Sequence, residues 1–189
     1  FRRCVFDHVG LGIEAAVGNN VQGMTIAQCE AFGGWGAGFA LQNVVNSLVS
    51  EFVVHDTGGQ SNVGTTAGFL VTCTNVQVDR CSFSGVRHSG GPDGCGFDFE
   101  GGNVGCSLTN CTIFDNEGPA ILMFSNGAPN TNITIDNCLF YNNNRRLHNG
   151  APEADCVLHL AVGTSGGITL PPSSGTLSNC GIYKHANVP

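Results

Sequence analysis

The sequence predicts an all-β solenoid, a single domain of about seven stacked coils. Three observations carry this. A six-residue pattern recurs along the chain, a short apolar strand follows most of its copies, and turn residues separate nearly every apolar run. The 189 residues suit one domain. Hydrophobic residues make up 41% of the chain, enough for a core even though only 11% are charged.

The pattern reads apolar, two others, Cys, one other, apolar. Its full copies centre on Cys29, Cys81, Cys111, Cys138 and Cys180, as in Leu108-Thr109-Asn110-Cys111-Thr112-Ile113. Cys4-Val5-Phe6 is a copy cut by the start of the chain, and Leu48-Val49-Ser50-Glu51-Phe52-Val53 carries Glu51 in the Cys place. Successive marks are 25, 22, 30, 30, 27 and 42 residues apart, so the loops vary while the unit recurs.

A second strand, usually led by Gly or Ala, follows six of the copies. It includes Gly12-Ile13-Glu14-Ala15-Ala16, Gly38-Phe39-Ala40-Leu41-Gln42, Gly68-Phe69-Leu70-Val71-Thr72, Gly96-Phe97-Asp98-Phe99-Glu100 and Ala120-Ile121-Leu122-Met123-Phe124. Turns containing Asn43, Asn75, Asn103 and Asn132 then lead into the next unit.

One coil of this size cannot bury its own apolar face, whereas stacked coils bury a continuous column. The arrangement that results is a parallel β-helix, with equivalent inward residues about 4.8 Å apart. The apolar positions three before and two after each Cys form two such columns. A third lies five before it, at Met24, Val76, Cys106 and Ile133, broken by Asn46 and Gly175. The repeated Cys forms an inward ladder. Residues stacked at about 4.8 Å with parallel Cα–Cβ directions lie beyond the usual ~3.5–4.5 Å disulfide separation, which favours buried thiols. Cys73 and Cys95 fall at strand edges and are expected to be the more exposed thiols. Glu51 either points inward at a high desolvation cost or is turned outward by a bulge.

The repeats around Asn110-Cys111-Thr112-Ile113 and Asn137-Cys138-Leu139-Phe140, each followed by Asn-rich loops, resemble the right-handed parallel β-helix superfamily, which includes the pectate-lyase-like proteins. The resemblance covers nearly the whole chain. It implies a right-handed coil, in keeping with the crossover preference. It also implies a polysaccharide laid across one strand stack and the loops beside it. The superfamily holds lyases, glycosidases, epimerases, adhesins and purely structural coils, so it sets the fold more firmly than the function.

The strand stack this resemblance points to is the Gly-led set. Its outward pairs are expected to be Glu14/Ala16, Ala40/Gln42, Leu70/Thr72, Asp98/Glu100, Leu122/Phe124 and Val157/His159. Asp98 and Glu100 share a face roughly 6–7 Å apart. Such a pair can supply a general acid and base for glycoside hydrolysis, or bind calcium. Arg87 and His88 in the preceding loop join them as catalytic candidates. Gln42, Asp93, Arg145 and His159 are candidate substrate contacts, and Trp35 in Gly33-Gly34-Trp35-Gly36 either stacks on a sugar or folds back over the strands. Against this stand the apolar neighbours on adjacent coils, and a single Lys, Lys184, placed far from the pair.

Seven Lys and Arg against 14 Asp and Glu give a net charge of −7, which argues against a nucleic-acid partner. No run reaches the ~18 apolar residues of a membrane span. Neither end carries an amphipathic cap, so the solenoid over 1–189 is expected to be a fragment or an uncapped part of a longer one, or to self-associate end to end or side by side. Two function classes stay open. One is an extracellular or cell-surface β-helix that binds or processes a polysaccharide. The other is a non-catalytic assembly module that uses its exposed ends and faces.

Overall fold

A computed structural model describes residues 1–15, 20–58, 65–87, 94–145, 147–148, 151–152, 158–165 and 168–183. Three parallel sheets form the faces of a solenoid. Sheet I is the Gly-led set, with strands Ile13–Ala15, Phe39–Gln42, Thr66–Val71, Cys95–Glu100, Ile121–Ser125 and Leu158–Val162. Sheet II contains Val21–Gln22, Thr25–Ala27, Val44–Ser50, Thr74–Asp79, Ser107–Thr109, Ile133–Asp136 and Gly175–Ser178. Sheet III stacks the seven short strands that begin two residues after each corner residue, from Val5–Asp7 to Gly181–Tyr183.

Alternation decides which side chains fill the interior. On sheet I the inward columns are Ile13, Phe39, Gly68, Phe97, Ile121 and Leu158, and Ala15, Leu41, Leu70, Phe99, Met123 and Leu160. Sheet II contributes Ile26, Val49, Val78, Leu108 and Ile135, and sheet III Ala31, Val54, Phe83, Ile113 and Phe140. Phe39, Phe52, Phe83, Phe97 and Phe99 are fully buried, and their rings meet with centroids 5.0–6.1 Å apart. Gly68 is what admits the Phe39 ring. A Cβ there would lie 2.5 Å from Cζ of Phe39.

Each passage from sheet II to sheet III turns on one residue in the left-handed region. Arg3, Gln28, Glu51, Arg80, Asn110, Asn137 and Asn179 all have φ between 51° and 56°. Three of the seven are Asn, the residue besides Gly that tolerates this conformation best. Their side chains link the coils along the corner. Arg3 donates to Gln28 at 3.3 Å, Gln28 to Glu51 at 3.0 Å, Asn110 to Asp79 at 2.6 Å and Asn137 to Asn110 at 2.7 Å. Arg80 bridges Glu51 and Asp79.

This corner corrects two expectations. Phe52, not Glu51, stands in the Cys place, because Val53 pairs with Ser82 and Val54 with Phe83. Glu51 is the corner residue and faces solvent, which resolves its two readings in favour of the outward one. The same one-residue offset puts Ser47 rather than Asn46 on the rung of Val76. A ring fills the position where the other coils carry a thiol.

The thiols form the expected interior column, Cys29, Cys81, Cys111 and Cys138 being buried. Each donates to the carbonyl two residues before it at 3.1–3.4 Å. None of the nine described cysteines forms a disulfide. Cys106 is inward as expected, while Cys73 and Cys95, expected to be exposed, are fully buried. Cys95 shares the inward parity of Phe97 and Phe99, and Cys73 begins the column described next.

Two interior columns carry amides. Asn103 accepts from the Cys73 N–H at 2.9 Å and donates to the Leu70 carbonyl at 2.9 Å and to Asn130 at 2.7 Å. At the other end of sheet III, Asn116 accepts from the Val86 N–H at 3.0 Å and donates to Asn143 at 2.8 Å. These amides satisfy the backbone where strands end and the chain bends inside the protein.

Candidate functional site

The outer face of sheet I carries the residues the sequence singles out. Its central column runs Ala40, Phe69, Asp98, Leu122, His159. The expected outward pair Leu70/Thr72 is therefore corrected to Phe69/Val71, since Leu70 points inward and is fully buried. Gly68 pairs with Phe39 and Phe97 rather than with the strand-leading Gly38 and Gly96, and that one-residue offset exchanges the two faces. Asp98 lies outward of the core yet is only 3% exposed; Leu122 beside it is buried, as is Ala40 two rungs away, and Phe69 between them is half-buried. The centre of this face is closed to a polymer.

The other candidates are dispersed. Glu100 is half-buried and accepts from the Asn126 amide at 2.8 Å. Gln42 is half-buried on the rung of Val71. Arg87 is exposed, and its backbone bridges Thr57 and Thr65. His159 lies on the rung next to Leu122, two rungs from Asp98. Trp35 is 50% exposed and rests on Gly10, whose Cβ would lie 2.6 Å from Cζ2 of the indole, so it folds back on the chain while keeping one side open. His88 and Asp93 lie outside the described residues. Arg145 belongs to a different face, where its guanidinium donates to the Asp115 carbonyl at 2.7 Å.

That face is the outside of sheet III, and it holds the more organised constellation. The third residue of each strand forms one outward column: Asp7, Phe32, His55, Ser84, Phe114, Tyr141, Tyr183. Phe32 and His55 stack with centroids 5.2 Å apart and planes 8° from parallel. Phe114 and Tyr141 do the same at 4.8 Å and 14°. Between the pairs lies Ser84 alone, and Tyr183 beyond them is exposed.

Each ring pair has polar neighbours. The His55 imidazole lies between two carboxylates, Nδ1 at 2.8 Å from Asp56 and Nε2 at 3.3 Å from Glu30. The Asp56 hydrogen bond, opposed by desolvation and helped by Glu30, holds its pKa above the ordinary value. His8, hydrogen-bonded to Asp7, meets the edge of Phe32. A groove of about 450 Å³ adjoins this end, lined by Arg3, Val5, Gln28, Glu30, Glu51 and Val53. The second pair is flanked by Asp115, Asn142 and Arg145, with the Asn142 amide donating to Asp115.

Sequence reasoning passed over these rings because it marked the inward position two after each Cys and not the outward one three after it. An aromatic recurring at that next position was the available signal. Among the described residues no group of three or more His, Cys, Asp or Glu could hold a metal ion, and no helix is long and apolar enough to cross a membrane.

A parallel solenoid with a long exposed strand face and buried columns of Cys and Asn defines a class of protein before any relative is consulted. The family described as right-handed beta helix region matches residues 1–188, and the chain belongs to it. Comparison with curated proteins and with solved structures gives no match.

Proposed function

We propose that this β-helix binds a polysaccharide on the outer face of sheet III, in an extracellular or cell-surface setting. The observation that carries the reading is the pair of stacked rings, Phe32 on His55 and Phe114 on Tyr141, in one outward column. Aromatic rings attract the C–H groups of sugars by dispersion. Carboxylates accept from sugar hydroxyls and amide and guanidinium groups donate to them, as Glu30, Asp56, Asn142 and Arg145 are placed to do. Membership of the β-helix family supports a polysaccharide-related or structural role, and the half-buried rings of this outward column favour the former. Binding, rather than bond cleavage, is what this geometry supports, since the Asp98/Glu100 face is closed at Asp98.

Affinity electrophoresis through gels containing a panel of soluble polysaccharides, with and without calcium, tests the proposal. Retardation by at least one polymer, relieved by Phe32→Ala or Phe114→Ala, is expected. Migration unchanged by every polymer would overturn it and leave the assembly role.

A further inference from the structure

We infer that both ring pairs engage one extended, uncharged glycan chain that runs along the solenoid axis, across the strands. This rests on the reading of sheet III as a polysaccharide-binding face and specifies its ligand. Register comes first. Phe32, His55, Ser84, Phe114 and Tyr141 occupy five successive rungs of one column. With strands about 4.8 Å apart, Phe32 and Phe114 are about 14 Å apart. A single sugar ring cannot touch both, whereas a linear chain laid along the column can.

The floor between the platforms comes second. Its only outward residue in that column is Ser84, half-buried, and Ser82 fills the other outward position on the same strand. Two small hydroxyls leave the path open and offer hydrogen bonds to a passing ring. A bulky residue there would split the face into two separate sites.

Charge comes third. Asp7, Glu30 and Asp56 crowd the first platform, with Glu51 lining the groove beside it, against Arg3 and the two histidines. Arg80 is already engaged with Glu51 and Asp79. A polyuronate would meet like charge at this end. A neutral chain instead brings hydroxyl donors to carboxylate oxygens, so the acceptor-rich lining matches its chemistry. The second platform, with Arg145 beside Asp115 and Asn142, adds both donors and acceptors.

Two weak platforms joined by one ligand gain affinity through effective concentration, typically about 10²–10⁴-fold. The test is calorimetric titration with the hexaoses and the disaccharides of β-1,4-glucan, β-1,3-glucan, xylan and mannan, and with hexagalacturonate as the anionic probe. The expected result is that one neutral hexaose binds at least about 100-fold more tightly than its disaccharide. Phe32→Ala and Tyr141→Ala should each reduce the hexaose to about the affinity of the disaccharide. Ser84→Lys leaves both platforms standing and should abolish the length dependence while disaccharide binding persists. Equal affinity for hexaose and disaccharide, or length dependence that survives Ser84→Lys, would overturn the spanning arrangement with glycan binding itself intact. Tighter binding of hexagalacturonate would overturn the uncharged assignment. Absence of binding by every probe would instead overturn the reading of the face as a glycan site.

Discussion

Asn103 and Asn130 occupy successive rungs of one interior column, and the Asn103 side-chain amide donates to Oδ1 of Asn130 at 2.7 Å. Asn130 in turn donates to the carbonyls of Phe99 at 2.9 Å and Phe124 at 3.1 Å. Both residues are fully buried, so water cannot replace either amide without opening the coil. Asn130→Ala would take a donor from two backbone carbonyls and leave one N–H of the Asn103 amide unpaired. Each buried orphan costs about 1–3 kcal/mol, so a loss of about 3 kcal/mol or more is expected in urea unfolding. Asn137→Ala on the exposed corner, which breaks an Asn–Asn hydrogen bond and places Ala in the left-handed region, should cost only about 1 kcal/mol. Equal losses for the two would show that the interior amides are not what holds the coils in register.

Phe52 offers a test of regularity against packing. Phe52→Cys makes the corner match its neighbours in the repeat. It also removes a fully buried ring stacked on Phe39 at 5.5 Å and lying 6.5 Å from Phe6. The cavity decides, and the variant should be less stable by about 3 kcal/mol in urea or thermal unfolding. A variant as stable as the parent would mean the neighbouring coils collapse to fill the space.

The same residue shows how far the sequence could be read. The fold was legible because one coil must repeat its inward pattern, and Cys, Val, Ile, Leu and Phe recur at fixed offsets from each corner. The Cys at six corners made that register visible. At the seventh corner Glu51 and Phe52 compete for the Cys place, and sequence spacing alone chose the wrong one. A one-residue slip in a strand exchanges its two faces. It set Val54 where His55 belongs and hid the Phe32–His55 stack. A comparable slip on the strand Thr66–Val71 exchanged Leu70 with Phe69 and Val71. Asp98 and Glu100 were rightly placed on the outward side of sheet I, but the covering of Asp98 depends on what packs over the sheet, which strand alternation does not encode.

Alkaline pH should unfold the protein through its interior thiols. Burial pushes the Cys73 thiol from the ordinary 9.0 up to about 11. Burial likewise raises Cys106, and a hydrogen bond with Cys111 followed by burial raises Cys138. A raised folded pKa contributes stability that is fully present below pH 9 and is lost as pH rises through the folded value. For Cys73 the window runs from about pH 9 to 11, and the shift of two pH units corresponds to about 2–3 kcal/mol. Unfolding free energy measured across that window should fall, and Cys73→Ala should flatten the fall. An unchanged slope in the variant would remove Cys73 from the account.

The His55 imidazole should titrate above the ordinary histidine range, and its two carboxylate neighbours should contribute unequally. Asp56, at 2.8 Å from Nδ1, is the larger influence, and Glu30, at 3.3 Å from Nε2, is the smaller. Desolvation acts against both, because the ring is partly covered where it stacks on Phe32. The sign follows from the raised value: the stabilising contribution of the charged ring is complete below about pH 6.5 and disappears as pH rises through the folded pKa. Proton NMR titration of the ring should show a midpoint above 6.5. Asp56→Asn should lower that midpoint more than Glu30→Gln, since it removes the nearer charge while keeping a hydrogen-bonding side chain. The stacking distance to Phe32 ties this proton to the first ring platform, so glycan added at saturating concentration should move the midpoint as well. A midpoint below 6.5, or one moved more by Glu30→Gln than by Asp56→Asn, would show that the imidazole is not held between these carboxylates in solution.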